Sequence, residues 1–363
     1  MTLLPVTIAA VVLLGAHRAT PTVPATNRRD ADTLHAVPAP DANDRANVER
    51  LERTLADDSM EGRGTATPGG ERAARFLMRE MKKIGLNPAG DSGYLQRVPL
   101  EVPGPQPAGS RGRRRSLVVL PSLADLDTVP ADRRRHAENI VGTLPGADPA
   151  LKQEVILVLS HYDHLGIGKP AVPGGDSIYN GADDDASGTV AVLEVARLLK
   201  RAGTPRRTII FANMTGEELG LLGTSYFIAH PPVPLSRIVA GFEIEMIGRP
   251  DSLAGGPGKA WLTGYERSTM GDMLKTYGIA IVPDMRPDQR FFTRSDNYGL
   301  AQRGIVAHTL SSFNLHSDYH RVSDDVSKID FDHMTAVIHS AAEAVRHLAD
   351  GPKPAWHPGG APQ

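Results

Sequence analysis

The sequence contains no cysteine. Disulfides, thiol nucleophiles and thiolate metal ligands are thereby excluded, so any metal must be held by histidine and carboxylates. Charge of one sign is also missing. Forty basic against 42 acidic side chains leave a formal net charge of −2, which gives no electrostatic case for a nucleic-acid partner. The basic run "RGRRRS" (111–116) has no interleaved aromatics and reads as a solvated loop. No GxSxG elbow is present, which argues against a serine hydrolase. Beyond the first residues, no stretch is long and apolar enough to cross a bilayer.

What is present is a chain of 363 residues, 40% of them hydrophobic, enough for one large core or two modest ones. Residues 1–25 carry the apolar stretch "LLPVTIAAVVLLGA" and small residues at Ala16, Ala19 and Ala25, and read as an export signal. The mature protein is then expected in the periplasm or the medium, with no membrane partner beyond export. Residues 26–44 are Pro/Ala-rich and read as a linker, 45–350 as one catalytic domain, and 351–363 as a disordered tail.

Apolar spacing predicts helices from Ala46 through Leu55, over "TPGGERAARFLMREMKKI" with a stop at Gly85, and over 187–203, 217–230 and 330–350. Short apolar runs at 154–160, 207–214, 237–246 and 304–310 predict buried strands. Strands alternating with helices imply an α/β fold, a mainly parallel sheet covered on both faces.

Polar clusters follow these strands. "HYDH" (161–164) succeeds the first, "TGEE" (215–218) the second, and "EIEM" (243–246) ends the third. "NGADDDASG" precedes a helix, and "NLHSDYHRVSDD" (314–325) follows the last strand. Sites in open α/β sheets form outside the carboxyl ends of strands, so all five clusters should converge on one crevice. One aspartate suffices to cap a helix; three in a row do not follow from capping. So many carboxylates in one crevice require cations. Imidazoles alongside carboxylates suit zinc, whereas calcium takes oxygen ligands only. A bridging carboxylate would allow two metals roughly 3.5–4 Å apart.

The motifs "SHYDHLG", "NGADDDASG", "TGEELGLLGTSYF" and "DYHRVSDD" together resemble the co-catalytic di-zinc aminopeptidase family, which includes secreted bacterial leucyl aminopeptidases, plasma glutamate carboxypeptidase and the glutaminyl cyclases. The resemblance runs from "LADDSMEGRGTATPGGERAARFL" (55–77) to the closing helix. It implies a three-layer α/β/α sandwich on a mixed, mainly parallel sheet, the zinc-dependent exopeptidase fold, and two Zn2+ per chain. By motif, His161 and Glu245 would hold one zinc, Glu218 and His320 the other, and Asp184 would bridge them. Asp163 would hydrogen-bond His161 and fix its ring. Glu217 would be the general base. The implied activity is release of N-terminal residues from peptide substrates, with carboxypeptidase, dipeptidase and glutaminyl cyclase as alternatives on the same scaffold. Asp183 and Glu243 are the spare acids expected to meet a substrate ammonium. Three departures stand out: Glu245 replaces the usual Asp, Asn297 replaces the His of the "SDH" motif, and no inserted protease-associated domain is visible.

Overall fold

The structure, a computed structural model, describes residues 36–104, 116–170 and 172–363. The expected export signal, the first part of the linker and residues 111–115 of the basic run lie outside the described residues.

Seven α-helices are described: α1 (Ala42–Leu55), α2 (Pro68–Ile84), α3 (Gly188–Ala202), α4 (Leu222–Ala229), α5 (Met270–Thr276), α6 (Asn297–Ala301) and α7 (Phe331–Asp350). The strands are β1 (Asn87–Pro88), β2 (Leu95–Glu101), β3 (Val118–Val119), β4 (Arg134–Leu144), β5 (Val155–His161), β6 (Gly166–Ile167), β7 (Ile178–Tyr179), β8 (Thr208–Met214), β9 (Ile238–Ile244), β10 (Ala260–Leu262), β11 (Ile281–Pro283) and β12 (Ala307–Ser311). The main sheet runs β11-β10-β12-β9-β5-β8-β4-β2-β3, with β1 paired to β4, and β6 and β7 make a separate ribbon. Strands β8, β5, β9 and β12 are parallel to their neighbours at the centre, while β4, β2 and β3 add antiparallel strands on one flank. The sheet is therefore mixed with a parallel centre, as expected.

Every residue of β5 is buried because helices cover both faces. Side chains alternate along a strand. Ile156 and Val158 point into one core with α1, α2, α3 and α7. Val155, Leu157 and Leu159 point into a second core with Phe227 and Ile228 of α4 and Leu300 of α6. That two-sided burial explains the continuous apolar run and makes the three-layer sandwich. Each such side chain contributes about 1.5–3 kcal/mol by leaving water.

Local signals set several boundaries. Thr67 caps α2 through the Gly70 N–H, and Gly85 ends it at φ 81°, a left-handed conformation that glycine adopts without strain. Asp41 caps α1 in a reciprocal arrangement with Asp44, so the helix starts at Ala42, inside the expected linker. Strands β2 and β4 escape an apolar-run search, because β4 begins with exposed, charged residues. Residues 351–363, expected to be disordered, pack on the domain instead. Trp356 bridges Ser268, its Nε1–H donates to the Gly304 carbonyl, and its ring lies 5.5 Å from His308. Among the described residues no helix is long and apolar enough to cross a membrane.

His308, on β12, is buried, and burial pushes its imidazole down to about 4 from the ordinary 6.5. Nδ1–H donates to the Thr263 carbonyl at 2.7 Å, and Nε2 accepts from the Ser268 hydroxyl at 2.7 Å. The folded state holds this ring neutral, so the unfolded chain takes up the proton first. His308 should therefore cost stability as pH falls from about 6.5 to about 4, by up to about 3 kcal/mol, and have no effect above that window. Denaturant midpoints across pH should show a shallower slope in this window for His308→Gln; an identical slope would refute the assignment.

Candidate metal centre

The five polar clusters do meet at the carboxyl edge of the parallel strands. His161 is the last residue of β5, and Glu217 and Glu218 lie just past β8. Glu245 lies one residue past β9, Asp183–Asp185 lie in the turn before α3, and His320 lies in the loop after β12. Glu217 and Glu218 are not on a helix, contrary to the expectation for 217–230. They sit in a turn closed by Leu222 N–H to Gly216 O and Gly223 N–H to Thr215 O, and α4 begins only at Leu222. Gly220, at φ 101°, makes that turn possible.

Two ligand-type groups share Asp184: His161, Asp184 and Glu245, and His164, Asp184 and Glu218. His161 Nε2 lies 3.5 Å from Asp184 Oδ1 and 3.9 Å from Glu245 Oε1. His320 Nε2 lies 3.1 Å from Asp184 Oδ2 and 3.2 Å from Glu218 Oε2. His161 Nε2, His164 Nδ1, His320 Nε2, Asp184 Oδ2 and Glu218 Oε1 are all buried without a hydrogen-bond partner. Buried polar atoms are normally satisfied, and here the unsatisfied ones face each other. Nitrogen and carboxylate donors in this number fit zinc.

The electrostatics agree. Burial alone would lower the His320 imidazole, yet the close carboxylates of Asp184 and Glu218 lift it to about 10. Burial, together with the charges of Glu245, Asp296 and Glu218, pushes the Glu217 carboxyl well above its ordinary range. Such density of negative charge calls for cations.

Of the aspartate triplet only Asp184 faces the crevice. Asp183 accepts from the Gly248 N–H at 2.7 Å and from His316 Nε2 at 2.9 Å, with the Arg249 guanidinium 3.8 Å away. Asp185 Oδ1 accepts from Gly188 N–H, at the start of α3, and from Met246 N–H. The Asp184–Asp185 peptide bond is cis. Glu243 is fully buried and accepts from Ser295 Oγ, Asp296 N–H, Asn297 N–H and Thr309 Oγ1. Asp183 and Glu243 are thus committed to the protein itself, and the expectation that they meet a substrate ammonium is corrected. Asn297 is buried, with its side chain on the Phe292 carbonyl, and does not line the crevice.

Asp163 also differs from expectation. His161 Nδ1 donates to the Asp163 backbone carbonyl at 3.1 Å, and the carboxylate is 3.8 Å from that nitrogen. The carboxylate instead accepts from Thr65 Oγ1 at 2.9 Å and from the Glu217 N–H at 3.1 Å, so it orients the turn that carries Glu217.

Several contributors were not singled out in the sequence. His164 stands inside the quoted "HYDH", and its burial could not be read there. Arg63, fully buried, donates to the carbonyls of Leu55, Tyr162, Asn180 and Gly181, tying β5's end to the aspartate turn. Asp324 accepts the N–H groups of Asp183 and Asp184 and pairs with Arg249 at 2.9 Å. A pocket opens beside the acids, walled by Trp261, Phe291, Phe313 and Tyr319. Those rings touch in sequence, and Tyr319 stacks on His320 at 3.9 Å.

Paired histidine–carboxylate groups sharing one aspartate, at the carboxyl edge of a mixed α/β sheet, define a protein built to hold metal ions beside an aromatic-walled pocket. The family model for peptidase family M28 matches residues 139–345, and the chain belongs to that family. It is 32% identical over 115 residues to leupeptin-inactivating enzyme 1 of Streptomyces exfoliatus, covering 31% of this chain and 23% of that one. It is 35% identical over 96 residues to an aminopeptidase of Bacillus subtilis, covering 26% and 18%. The matches thus span about a fifth of the length of these curated relatives. In structure it resembles an aminopeptidase from Aneurinibacillus sp. strain AM-1, with TM-score 0.60, 15% identity, and 91% and 98% of the two chains covered. It also resembles a glutaminyl cyclase of Bacteroides thetaiotaomicron, with TM-score 0.58, 16% identity, and 85% and 99% covered. At these identities the likeness is one of fold.

Replacing Arg63 by Leu would orphan four carbonyls in a dry region, so the domain should lose about 4 kcal/mol or more. Urea unfolding measures this, and a loss below about 1 kcal/mol would show that the clamp is dispensable.

Proposed function

We propose that the protein is an exported, zinc-dependent exopeptidase that removes N-terminal residues from peptides, using two zinc ions per chain. The observation that carries the reading is the pair of ligand groups meeting at Asp184, with Glu217 beside them and outside both. His161 and Glu245 would hold one ion, Glu218 and His320 the other, and Asp184 both. When bound, the ions would supply Lewis-acid polarisation of the scissile carbonyl and acidify the attacking water. The N-terminal apolar stretch supports export.

The chain's own residues do the rest. Glu217 lines the cavity, and its backbone is pinned by Asp163. Its carboxylate takes the proton of the attacking water and hands it to the leaving nitrogen. Burial that raises its pKa suits a group that must both accept and release a proton. Glu218 is held below the ordinary range by His164 and His320 against the opposing effect of burial, as befits a ligand that stays ionised. The aromatic wall excludes water and receives a side chain of the substrate.

One feature favours a second reading. Arg294 lines the same cavity, 5.1 Å over the Phe291 ring, and no ion pair from it to a carboxylate occurs among the described residues. A guanidinium there suits a substrate carboxylate, which a dipeptidase or carboxypeptidase would exploit. Rates on free, N-acetylated and C-terminally amidated peptides separate the readings. Acetylation should cost most of kcat/KM for an aminopeptidase. Loss on amidation alone would transfer the assignment to the second reading.

Glu217→Gln should keep fold and zinc while lowering kcat by about 10²-fold or more, whereas Glu218→Gln should lose zinc. The opposite pattern of metal contents would reverse the two roles. A chelator should abolish hydrolysis and lower Tm, since metal binds only the folded chain, and zinc should restore both. Active protein with less than one equivalent of zinc would overturn the reading.

A further inference from the structure

"HYDH" brings two imidazoles to the crevice, and only His161 has a role so far. His164 is 2% exposed. Its ring lies on Gly181, where any Cβ would come within 2.5 Å of ring atoms, so the aspartate turn fixes its position. Nδ1 stands 2.8 Å from Glu218 Oε1 and 3.8 Å from Asp184 Oδ2. Neither His164 nitrogen makes a hydrogen bond, nor do Glu218 Oε1, Asp184 Oδ2 and His320 Nε2. The close approach of His164 to Glu218 is not aligned as a donor–acceptor pair. His320 faces the other Glu218 oxygen, Oε2, from the opposite loop, its ring 5.7 Å from that of His164 at 68°, and both imidazoles approach the same Asp184 Oδ2.

We infer that His164 is itself a ligand of the second ion, which is held by His164, His320, Glu218 and Asp184. The inference rests on the two-zinc reading above. A tetrahedral zinc with bonds of about 2.0–2.1 Å needs donors about 3.3 Å apart. His164 Nδ1 lies 2.8 Å from Glu218 Oε1 and 3.8 Å from Asp184 Oδ2, and His320 Nε2 lies 3.2 Å from Glu218 Oε2 and 3.1 Å from Asp184 Oδ2, separations that bracket that value. The two sites then differ in kind. The His161 site has one nitrogen and two carboxylates, and the other has two nitrogens and two carboxylates. Nitrogen-rich tetrahedral surroundings favour zinc, and oxygen-rich ones admit manganese or magnesium. The His164 site is therefore the tight, zinc-selective one, and the His161 site is the exchangeable one. The competing role, in which His164 only orients Glu218 from outside the coordination shell, makes a different count.

The test is X-ray absorption on the full chain loaded with two zinc ions, together with zinc titration of His164→Ala. The expected result is three imidazoles per two zincs in the unmodified protein and two in the variant. Zinc affinity of one site should fall by about 10²-fold or more, with the other unchanged. Manganese added to the apo-protein should fill one site only. Two imidazoles in the unmodified protein would overturn the inference, as would unchanged titration of the variant. A protein that binds no zinc at all fails the two-zinc reading instead, and if the variant does not fold, the imidazole count in the unmodified chain decides alone.

Discussion

Buried negative charge at one edge of the sheet is the constraint on which the rest of this structure depends. Asp184, Glu217, Glu218 and Glu245 line one cavity, and burial makes every one of them costly when ionised without a counter-charge. The protein answers with two devices. Around the crevice it leaves imidazole and carboxylate lone pairs unsatisfied and facing each other. Behind the crevice it neutralises what must not face the crevice, with Arg249 between Asp183, Asp318 and Asp324, and His316 on Asp183.

Positioning is mostly done by backbone hydrogen bonds from charged side chains. Arg63 gathers four carbonyls, Asp324 gathers two N–H groups of the aspartate turn, and Asp163 holds the N–H of Glu217. Charge-assisted bonds of this sort are about twice as strong as neutral ones, and they fix loops that carry no regular structure. The parallel strands place chain ends at a common edge, and these clamps turn that coarse placement into distances of a few ångströms.

Much was legible beforehand. Apolar runs marked the four central strands, and apolar spacing marked α2, α3 and α7 to within a few residues, with Gly85 as the stop of α2. What escaped shares a physical cause. β4 and β2 carry charged residues because part of each is exposed, so burial left no apolar signature. The turn at 217–221 reads as helix because its composition suits one, yet long-range bonds to Asp163 hold it open. The terminal segment looks like a Pro/Gly tail, but Trp356 finds a site that no local pattern encodes.

The sequence by itself determined the chemistry on offer: no thiols, several imidazoles and carboxylates, and a parallel sheet whose strand ends bring them together. Tertiary structure decided which members of each cluster are available. Asp183 and Asp184 are neighbours, as are His161 and His164 within one motif, and Glu243 and Glu245 are two residues apart on one strand end. Their separate fates follow from partners far away in the chain: His316 and Gly248 for Asp183, Ser295 and Thr309 for Glu243, Gly181 and Glu218 for His164. Local pattern cannot rank such neighbours, because their intrinsic chemistry is alike and only long-range packing assigns one to the protein and the next to the crevice.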